Sequence, residues 1–191
     1  MKIVGIAGTN GSGKDTIGHI LAEKYGWLFI SVSDLLRDEC RKRGLSVERE
    51  NLRTISAEWR REGGLGVLID KAVEIYKSTK ENYNGLAVSS LRNPGETQRV
   101  NELGGVNVWA DADPRIRYER IQSAERGRGE EDNKTFEVFL AEQEAEMKPT
   151  GDAATLDMAS VRADADMEIL NETTLSNLEA QVALLLSKLS S

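Results

Sequence analysis

A glycine-rich segment with a lysine near its end, Gly8–Thr16, is the stretch of this 191-residue chain whose residue types most clearly imply chemistry. It reads Gly-Thr-Asn-Gly-Ser-Gly-Lys-Asp-Thr and lies between a short apolar run and an amphipathic stretch. Glycines allow successive backbone N–H groups to converge on one anion, and a following helix adds the positive end of its dipole. Lys14 supplies a mobile charge for the outer phosphates. The segment therefore predicts a nucleoside triphosphate site.

The two residues after Lys14 are the candidates for the metal side of this site. A phosphate-binding loop usually has Ser or Thr directly after its lysine as a ligand of Mg²⁺. Here Asp15 holds that position, and the hydroxyl follows at Thr16. A carboxylate can ligate Mg²⁺ directly or through water. We therefore expect Asp15 on the metal side, with Thr16 near the α-phosphate and as the other candidate metal residue.

Composition excludes several other kinds of site. The chain has 25 Lys and Arg against 32 Asp and Glu, a formal net charge of −7, which disfavours binding to polymeric nucleic acid. It has no apolar run near the ~20 residues that cross a bilayer, and no signal-peptide pattern at its start, so we expect a cytoplasmic protein that does not bind membranes. One cysteine, Cys40, and one histidine, His19, leave no Cys/His zinc cluster. A Ser-His-Asp triad is also disfavoured, because His19 falls in a predicted helix.

Arginine, the side chain that grips phosphate oxygens through a bidentate fork, is concentrated in two segments. The first contains Arg37, Arg41, Arg43, Arg49, Arg53, Arg60 and Arg61, and the second contains Arg115, Arg117, Arg120, Arg126 and Arg128. We expect a majority of these side chains to lie on solvated helix faces beside acidic residues.

Short apolar runs alternate with longer amphipathic stretches along the whole chain. This alternation is typical of βα units around a parallel sheet, and no long linker or internal repeat interrupts it. The predicted strands are Ile3–Ala7, Trp27–Val32, Gly85–Ser89, Val106–Asp111 and Asp166–Leu170. Helices are predicted between them, including Asp34–Arg43 and Ala153–Val161. The polar segment around Gly127 and Gly129 reads as an exposed loop that could serve as a lid.

Together these residues resemble the nucleoside monophosphate kinase group of P-loop proteins, and more narrowly dephospho-CoA kinases and phage-type deoxynucleoside monophosphate kinases. The resemblance spans nearly the whole chain. The segments that carry it are Lys14-Asp15-Thr16, Ser31–Arg37, Ser89–Glu96, the lid pair Arg126 and Arg128, and Asp166–Leu175. The resemblance implies one three-layer α/β domain over 1–191, with a five-stranded parallel sheet of order 2-3-1-4-5 and helices on both faces. An acceptor-binding helical insertion is expected at about 34–80 and a short lid at about 125–134.

The resemblance also implies a role for each matching residue. The nucleotide site would contain Gly8, Asn10, Gly11, Ser12, Gly13, Lys14, Asp15, Thr16 and Asn171. The acceptor would be bound by Asp34, Arg37 and Arg92, and the catalytic group would be Lys14, Asp34, Arg92, Arg126 and Arg128. Asp34 would accept the proton of a hydroxyl acceptor; with a phosphate acceptor it would orient the sugar or a metal-bound water.

The chain departs from these families at the end of its third strand. They have an aspartate there, whereas this chain has Ser89-Ser90, so a second carboxylate for Mg²⁺ is missing. Asp111 or Asp113 could compensate only indirectly, and Asp113 before Pro114 is expected to cap a helix. The leading hypothesis is an ATP- and Mg²⁺-dependent phosphotransferase acting on a small phosphorylated or nucleotide-like acceptor, as a monomer or homodimer. The alternatives are a nucleotide-hydrolysing switch and a protein that binds nucleotide without catalysis.

Overall fold

The computed structural model describes residues 1–79, 81–123, 134–148 and 151–189. Its centre is a five-stranded sheet formed by β1 (Ile3–Gly8), β2 (Leu28–Ser31), β3 (Leu86–Leu91), β4 (Val106–Asp111) and β5 (Met167–Leu170). The strands lie in the order β2-β3-β1-β4-β5, and every neighbouring pair is parallel. The predicted α/β class and strand order are confirmed.

Helices connect the strands and cover the sheet. Along the chain they are α1 (Lys14–Tyr25), α2 (Val32–Lys42), α3 (Arg49–Gly63), α4 (Val67–Ser78), α5 (Pro94–Glu102), α6 (Pro114–Ser123), α7 (Phe136–Met147), α8 (Met158–Ala163) and α9 (Leu175–Lys188). No helix in the described part of the chain is both long enough and apolar enough to span a bilayer.

The two faces of the sheet carry separate apolar layers. Neighbouring residues of β1 divide between them: Ile3 and Ala7 pack with α2, α3, α4, α5 and α8, whereas Val4 and Ile6 pack with α1 and α9. Successive side chains of a strand point to opposite faces, and both faces are covered, so all six residues of β1 are buried. This arrangement brings the carboxyl ends of β1, β2, β3 and β4 to one edge, where α/β folds bind their ligands.

Three local features differ from the sequence prediction. Helix α2 begins at Val32, directly after β2 and two residues before its predicted start at Asp34. Helix α8 covers only Met158–Ala163, because Asp157 caps it by accepting from the backbone N–H of Ser160. Strand β3 continues through Ser90 to Leu91, with a register irregularity against β1 and a φ of 69° at Ser90.

Candidate functional site

The loop between β1 and α1 approaches its neighbours too closely for side chains at two of its glycines. A Cβ on Gly8, whose φ is 149°, would lie 2.2 Å from the carbonyl oxygen of Ala110 in β4. A Cβ on Gly13, whose φ is 88°, would lie 2.2 Å from Nδ2 of Asn171. Both positions combine a backbone conformation that favours glycine with a lack of space. The predicted glycine-rich loop therefore has a structural reason for its composition.

The interior of this loop fits a phosphate group. Ser12 is fully buried, and its Oγ has no hydrogen-bond partner within the described residues. The Lys14 ammonium donates to the carbonyl oxygen of Thr9 at 3.3 Å, which holds it over the loop at the start of α1. A buried hydroxyl without a partner is costly, and an anion at the helix amino terminus would satisfy it. These residues can hold the β- and γ-phosphates of a nucleotide.

Asp15 and Ser89 are joined by a hydrogen bond next to this loop. The Ser89 hydroxyl, fully buried near the end of β3, donates to Oδ1 of Asp15 at 2.7 Å. Asp15 is itself exposed, and it lines the same cavity as Thr16. The bond fixes one carboxylate oxygen and leaves the other available to a cation. Carboxylate, hydroxyl and phosphate oxygens are the donors that Mg²⁺ prefers, so the residues present fit that ion.

Asp111 braces the loop and does not line the cavity. Its Oδ1 accepts hydrogen bonds from the Thr9 hydroxyl at 2.8 Å and from the backbone N–H of Ala112 at 2.9 Å. Asp113 accepts from the backbone N–H of Arg115 at the start of α6, which is the capping arrangement expected for it. Both carboxylates are therefore engaged in supporting the backbone.

Two further residues support the loop from behind. Asn171, predicted as part of the nucleotide site, donates from Nδ2 to the carbonyl oxygen of Ser12 at 3.0 Å. Arg117 is 1% exposed and donates to the carbonyl oxygen of Asn10 at 3.4 Å and to Oε1 of Gln143 in α7 at 2.5 Å. Burial lowers the pKa of the Arg117 guanidinium, although the negative charges of Asp111 and Asp113 act to raise it. The sequence placed Arg117 in an arginine-rich segment without assigning it this contact.

A cavity of about 810 Å³ extends from the phosphate-binding loop toward α2 and α3. Among the residues that line it are Lys14, Asp15, Arg37, Arg53, Arg92 and Glu146. A cavity of this size accommodates a nucleotide together with part of a second small molecule. It brings the predicted loop and two of the predicted acceptor residues, Arg37 and Arg92, to one site.

Besides the predicted Arg92, the cavity is lined by Arg49, Arg53 and Glu146, to which the sequence analysis assigned no role. Arg49 and Arg53 come from α3, Arg92 follows β3, and all three surround the carboxylate of Glu146 in α7. Arg92 and Glu146 are 54 residues apart in the chain. The i, i+4 spacing of Arg49 and Arg53 places them on one helix face and is a usable signal, whereas nothing in the sequence marks Glu146.

Asp34 lies away from this wall. Its carboxylate is 68% exposed and pairs with Arg37 within α2 at 2.5 Å. Asp34 does not line the cavity, whereas Ser33 beside it does. Ser33 and Arg37 lie one turn apart on the same face of α2, and both line the cavity. The predicted lid residues Arg126 and Arg128 lie outside the described residues.

A buried ion pair holds the segment that carries Arg92. The Arg60 guanidinium donates to Oε1 of Glu96 at 2.6 Å and 3.1 Å, and both side chains are almost completely buried. Oε2 of Glu96 accepts from the backbone N–H groups of Arg92 at 2.7 Å and Asn93 at 3.2 Å. Asn93 caps α5 in the reciprocal arrangement with Glu96. The backbone of Arg92 is thereby fixed at the cavity edge.

Comparison with solved structures places this architecture among P-loop kinases. Shikimate kinase from Bacteroides thetaiotaomicron superposes with a TM-score of 0.58 at 16% identity, covering 99% of this chain and 98% of that one. A putative kinase from Chloroflexus aurantiacus gives a TM-score of 0.58 at 18% identity, covering 99% and 96%. Shikimate kinase from Acinetobacter baumannii in complex with shikimate gives 0.55 at 17%, covering 98% and 92%. The shared fold is a P-loop kinase fold.

Sequence comparison gives the family. The model described as "AAA domain" matches residues 4–146. A UPF0200 protein from Hyperthermus butylicus is 31% identical over 98% of this chain and 94% of its own length. A UPF0200 protein from Pyrococcus abyssi is 27% identical over 98% and 96%. The chain therefore belongs to the AAA domain family of P-loop proteins and to the UPF0200 family.

Proposed function

We propose that this protein is an ATP- and Mg²⁺-dependent phosphotransferase that moves the γ-phosphoryl group of ATP to a small, nucleotide-like acceptor. The observation that carries the proposal is the continuity of the cavity. One space of about 810 Å³ is bounded by the phosphate-binding loop and by an arginine-rich wall. A protein that only bound nucleotide would have no use for a second anion-binding wall within reach of the loop.

The chain's own residues divide the work between the two ends of the cavity. The loop amides, the Ser12 hydroxyl and the Lys14 ammonium hold the β- and γ-phosphates, and Asn171 and Arg117 keep the loop in shape. Asp15, oriented by Ser89, faces the metal side, where Mg²⁺ would neutralise charge on the β- and γ-phosphates when bound.

The residues at the acceptor end of the cavity orient the acceptor. Arg37 and Arg92 line the cavity from α2 and from the segment after β3. Their guanidinium groups would hold the acceptor so that its attacking oxygen faces the γ-phosphorus in line with the leaving oxygen. If the acceptor is a phosphate, no general base is required, which agrees with the position of Asp34 outside the cavity wall. Arg126 and Arg128 are proposed to close over the transferring group.

The test is ADP release from ATP and Mg²⁺ with a panel of acceptors. The panel contains nucleoside and deoxynucleoside monophosphates, dephospho-CoA, and shikimate as an acceptor bearing a carboxylate. We expect at least one phosphate-bearing acceptor to stimulate ADP release well above the rate with ATP alone. Stimulation by shikimate alone would replace the nucleotide-like acceptor with a carboxylate-bearing one. Acceptor-independent release would favour a hydrolysing switch, and absence of any release would favour a nucleotide-binding protein without catalysis.

Lys14→Ala and Lys24→Ala form a matched pair for this assay. Lys14 lines the cavity at the start of α1, whereas Lys24, near the end of the same helix, pairs with Glu179. We expect Lys14→Ala to abolish transfer while far-UV circular dichroism stays unchanged, because its charge acts on phosphates. Lys24→Ala should retain transfer. Near-normal transfer by Lys14→Ala, or its unfolding, would contradict the assignment of the loop.

A further inference from the structure

Three of the arginines that line the cavity converge on a single carboxylate. Arg53 lies 3.0 Å from Oε1 of Glu146, Arg49 lies 3.6 Å from the same oxygen, and Arg92 lies 3.1 Å from Oε2. The Glu146 side chain is only 13% exposed. We call Arg49, Arg53 and Arg92 the arginine cradle. It comes from two separate parts of the chain, α3 and the segment after β3, and Glu146 enters it from a third, α7.

The cradle keeps Glu146 ionised although most of its side chain is removed from solvent. Burial alone would raise the pKa of this carboxyl, but the charges of Arg92, Arg49 and Arg53, with a hydrogen bond from Arg53, outweigh it and hold the pKa below its ordinary value. Glu142, one turn earlier in α7, lies 3.6 Å from Arg49 and also pairs with Lys134. Arg49 is therefore equally close to Glu142 and Glu146, whereas Arg53 and Arg92 are paired with Glu146.

We propose that Glu146 occupies the position of an anionic group of the acceptor, and that a phosphate-bearing acceptor binds the arginine cradle by displacing it. This inference rests on the proposed function for the identity of the cavity's second ligand. A carboxylate offers two oxygens and one negative charge to three guanidinium groups. A phosphate monoester offers three oxygens and up to two charges, so it satisfies the cradle more completely. Glu146 therefore selects against weaker anions, which must compete with an internal carboxylate.

The position of Glu146 makes displacement feasible. It is the next-to-last residue of α7, which ends at Met147, so it lies at a helix terminus and not in a helix interior. Among the hydrogen bonds and ion pairs of the described residues, its carboxylate contacts only the cradle. Withdrawal of this one side chain would open the wall without disturbing Phe139, the buried residue that anchors α7.

The experiment measures binding of inorganic phosphate by calorimetry in the absence of ATP. All variants carry Lys14→Ala, which weakens anion binding at the loop, so the result does not depend on phosphoryl transfer. We expect Glu146→Gln to bind phosphate about tenfold more tightly than the Lys14→Ala parent, a change of about 1.4 kcal/mol. Glu142→Gln removes the same charge from the same helix without direct contact to Arg53 or Arg92. It should change the affinity by less than about threefold, because Glu142 is more exposed than Glu146, pairs with Lys134 and approaches only Arg49 of the cradle.

The Glu146→Asp variant distinguishes displacement of the Glu146 side chain from an effect of net charge on phosphate affinity. The charge is retained, but the carboxylate is one methylene shorter and no longer reaches the cradle fully. Displacement predicts that Glu146→Asp also binds phosphate more tightly than the parent, and that acetate binds more weakly than phosphate in every variant. Unchanged affinity in Glu146→Asp, equal gains in Glu146→Gln and Glu142→Gln, or weaker binding by Glu146→Gln would each overturn the proposal.

A second measurement applies even if Glu146→Gln fails to fold. Hydrogen exchange is followed in the otherwise unmodified Lys14→Ala protein with and without saturating phosphate. We expect faster exchange at the last turn of α7 with phosphate, because the contact that holds this turn is lost. Slower or unchanged exchange there would mean that phosphate binds without releasing Glu146, and the proposal would be wrong. Failure of the ADP-release assay, in contrast, would leave this readout intact.

Discussion

Glu96→Gln should destabilise the protein strongly, because Glu96 is a fully buried charge with four hydrogen-bond donors directed at it. Oε1 accepts from Nε and an Nη of Arg60, and Oε2 accepts from the backbone N–H groups of Arg92 and Asn93. A glutamine has one oxygen for these two sets of donors, and its NH₂ group must face one of them. The substitution also leaves the Arg60 guanidinium, 3% exposed, without a counter-charge.

The expected loss in free energy of unfolding follows from these contacts. Removing one partner of a buried ion pair costs about 3–5 kcal/mol, and most domains have a free energy of unfolding of about 5–15 kcal/mol. Glu96→Gln should therefore remove a large share of the stability, with a fall in Tm of about 10 °C. Urea unfolding followed by tryptophan fluorescence measures the change. Because Glu96 also holds the backbone of Arg92, the variant should weaken acceptor binding at temperatures where it remains folded.

Asp152→Asn is the matched control. Asp152 pairs with Arg61, the residue after Arg60, at 2.5 Å, but the two side chains are 46% and 59% exposed. Exposed pairs contribute little, so this variant should unfold at the same urea concentration as the wild type. The double variant Arg60→Met with Glu96→Gln removes the uncompensated charge and should be more stable than Glu96→Gln alone. Equal stability of Glu96→Gln and Asp152→Asn would refute this reasoning.

Five further variants test three features of the site. Asp15→Ala should raise the Mg²⁺ concentration needed for tight ADP binding more than it weakens ADP binding without metal, and Ser89→Ala should produce a smaller shift in the same direction. Titration with a fluorescent ADP analogue measures both effects. An unchanged Mg²⁺ requirement in Asp15→Ala would move the metal role to another residue. Ser90→Gly should have a free energy of unfolding within about 1 kcal/mol of the wild-type value, whereas Ser90→Val should lower it by about 1–2 kcal/mol or more. The reason is that a φ of 69° suits glycine and not a β-branched residue. Equal stability of the two variants would show that this backbone conformation is not maintained. Arg92→Ala should chiefly raise the acceptor KM, because a guanidinium that holds the acceptor equally in the ground and transition states contributes uniform binding. A fall in kcat alone would argue against the placement of Arg92 at the acceptor.

Local sequence patterns were sufficient to predict the sheet and the phosphate-binding loop. Each strand of a sheet covered on both faces is a short apolar run, so the strands could be located within a few residues. The loop was recognisable because its geometry depends on consecutive residues: Gly8 and Gly13 must be glycine, and Lys14 must follow. The strand order followed from the resemblance to P-loop kinases and is confirmed by the structure.

The cavity wall could not be predicted in the same way. The sequence showed that arginines are concentrated between Arg37 and Arg61, but not which of them meet a ligand, because that depends on how α2, α3 and α7 pack. Arg53 and Arg60 both line the cavity, but Arg60 is buried against Glu96, and Arg61 is exposed outside the cavity, although all three belong to α3. Asp34 and Ser33 are neighbours, yet only Ser33 lines the cavity, because α2 begins at Val32.

The sequence alone therefore determined that the chain forms a parallel α/β sheet and that a phosphate-binding loop follows its first strand, since the alternating strand and helix patterns and the loop motif are both composed of residues close in the chain. Tertiary structure decided which charges compensate one another. Glu146 enters a cradle built from residues 54 or more positions away, and Ser89 reaches Asp15 across 74 positions. The energy of such a pair depends on separation and burial in the folded molecule, and neither quantity is encoded by spacing along the chain.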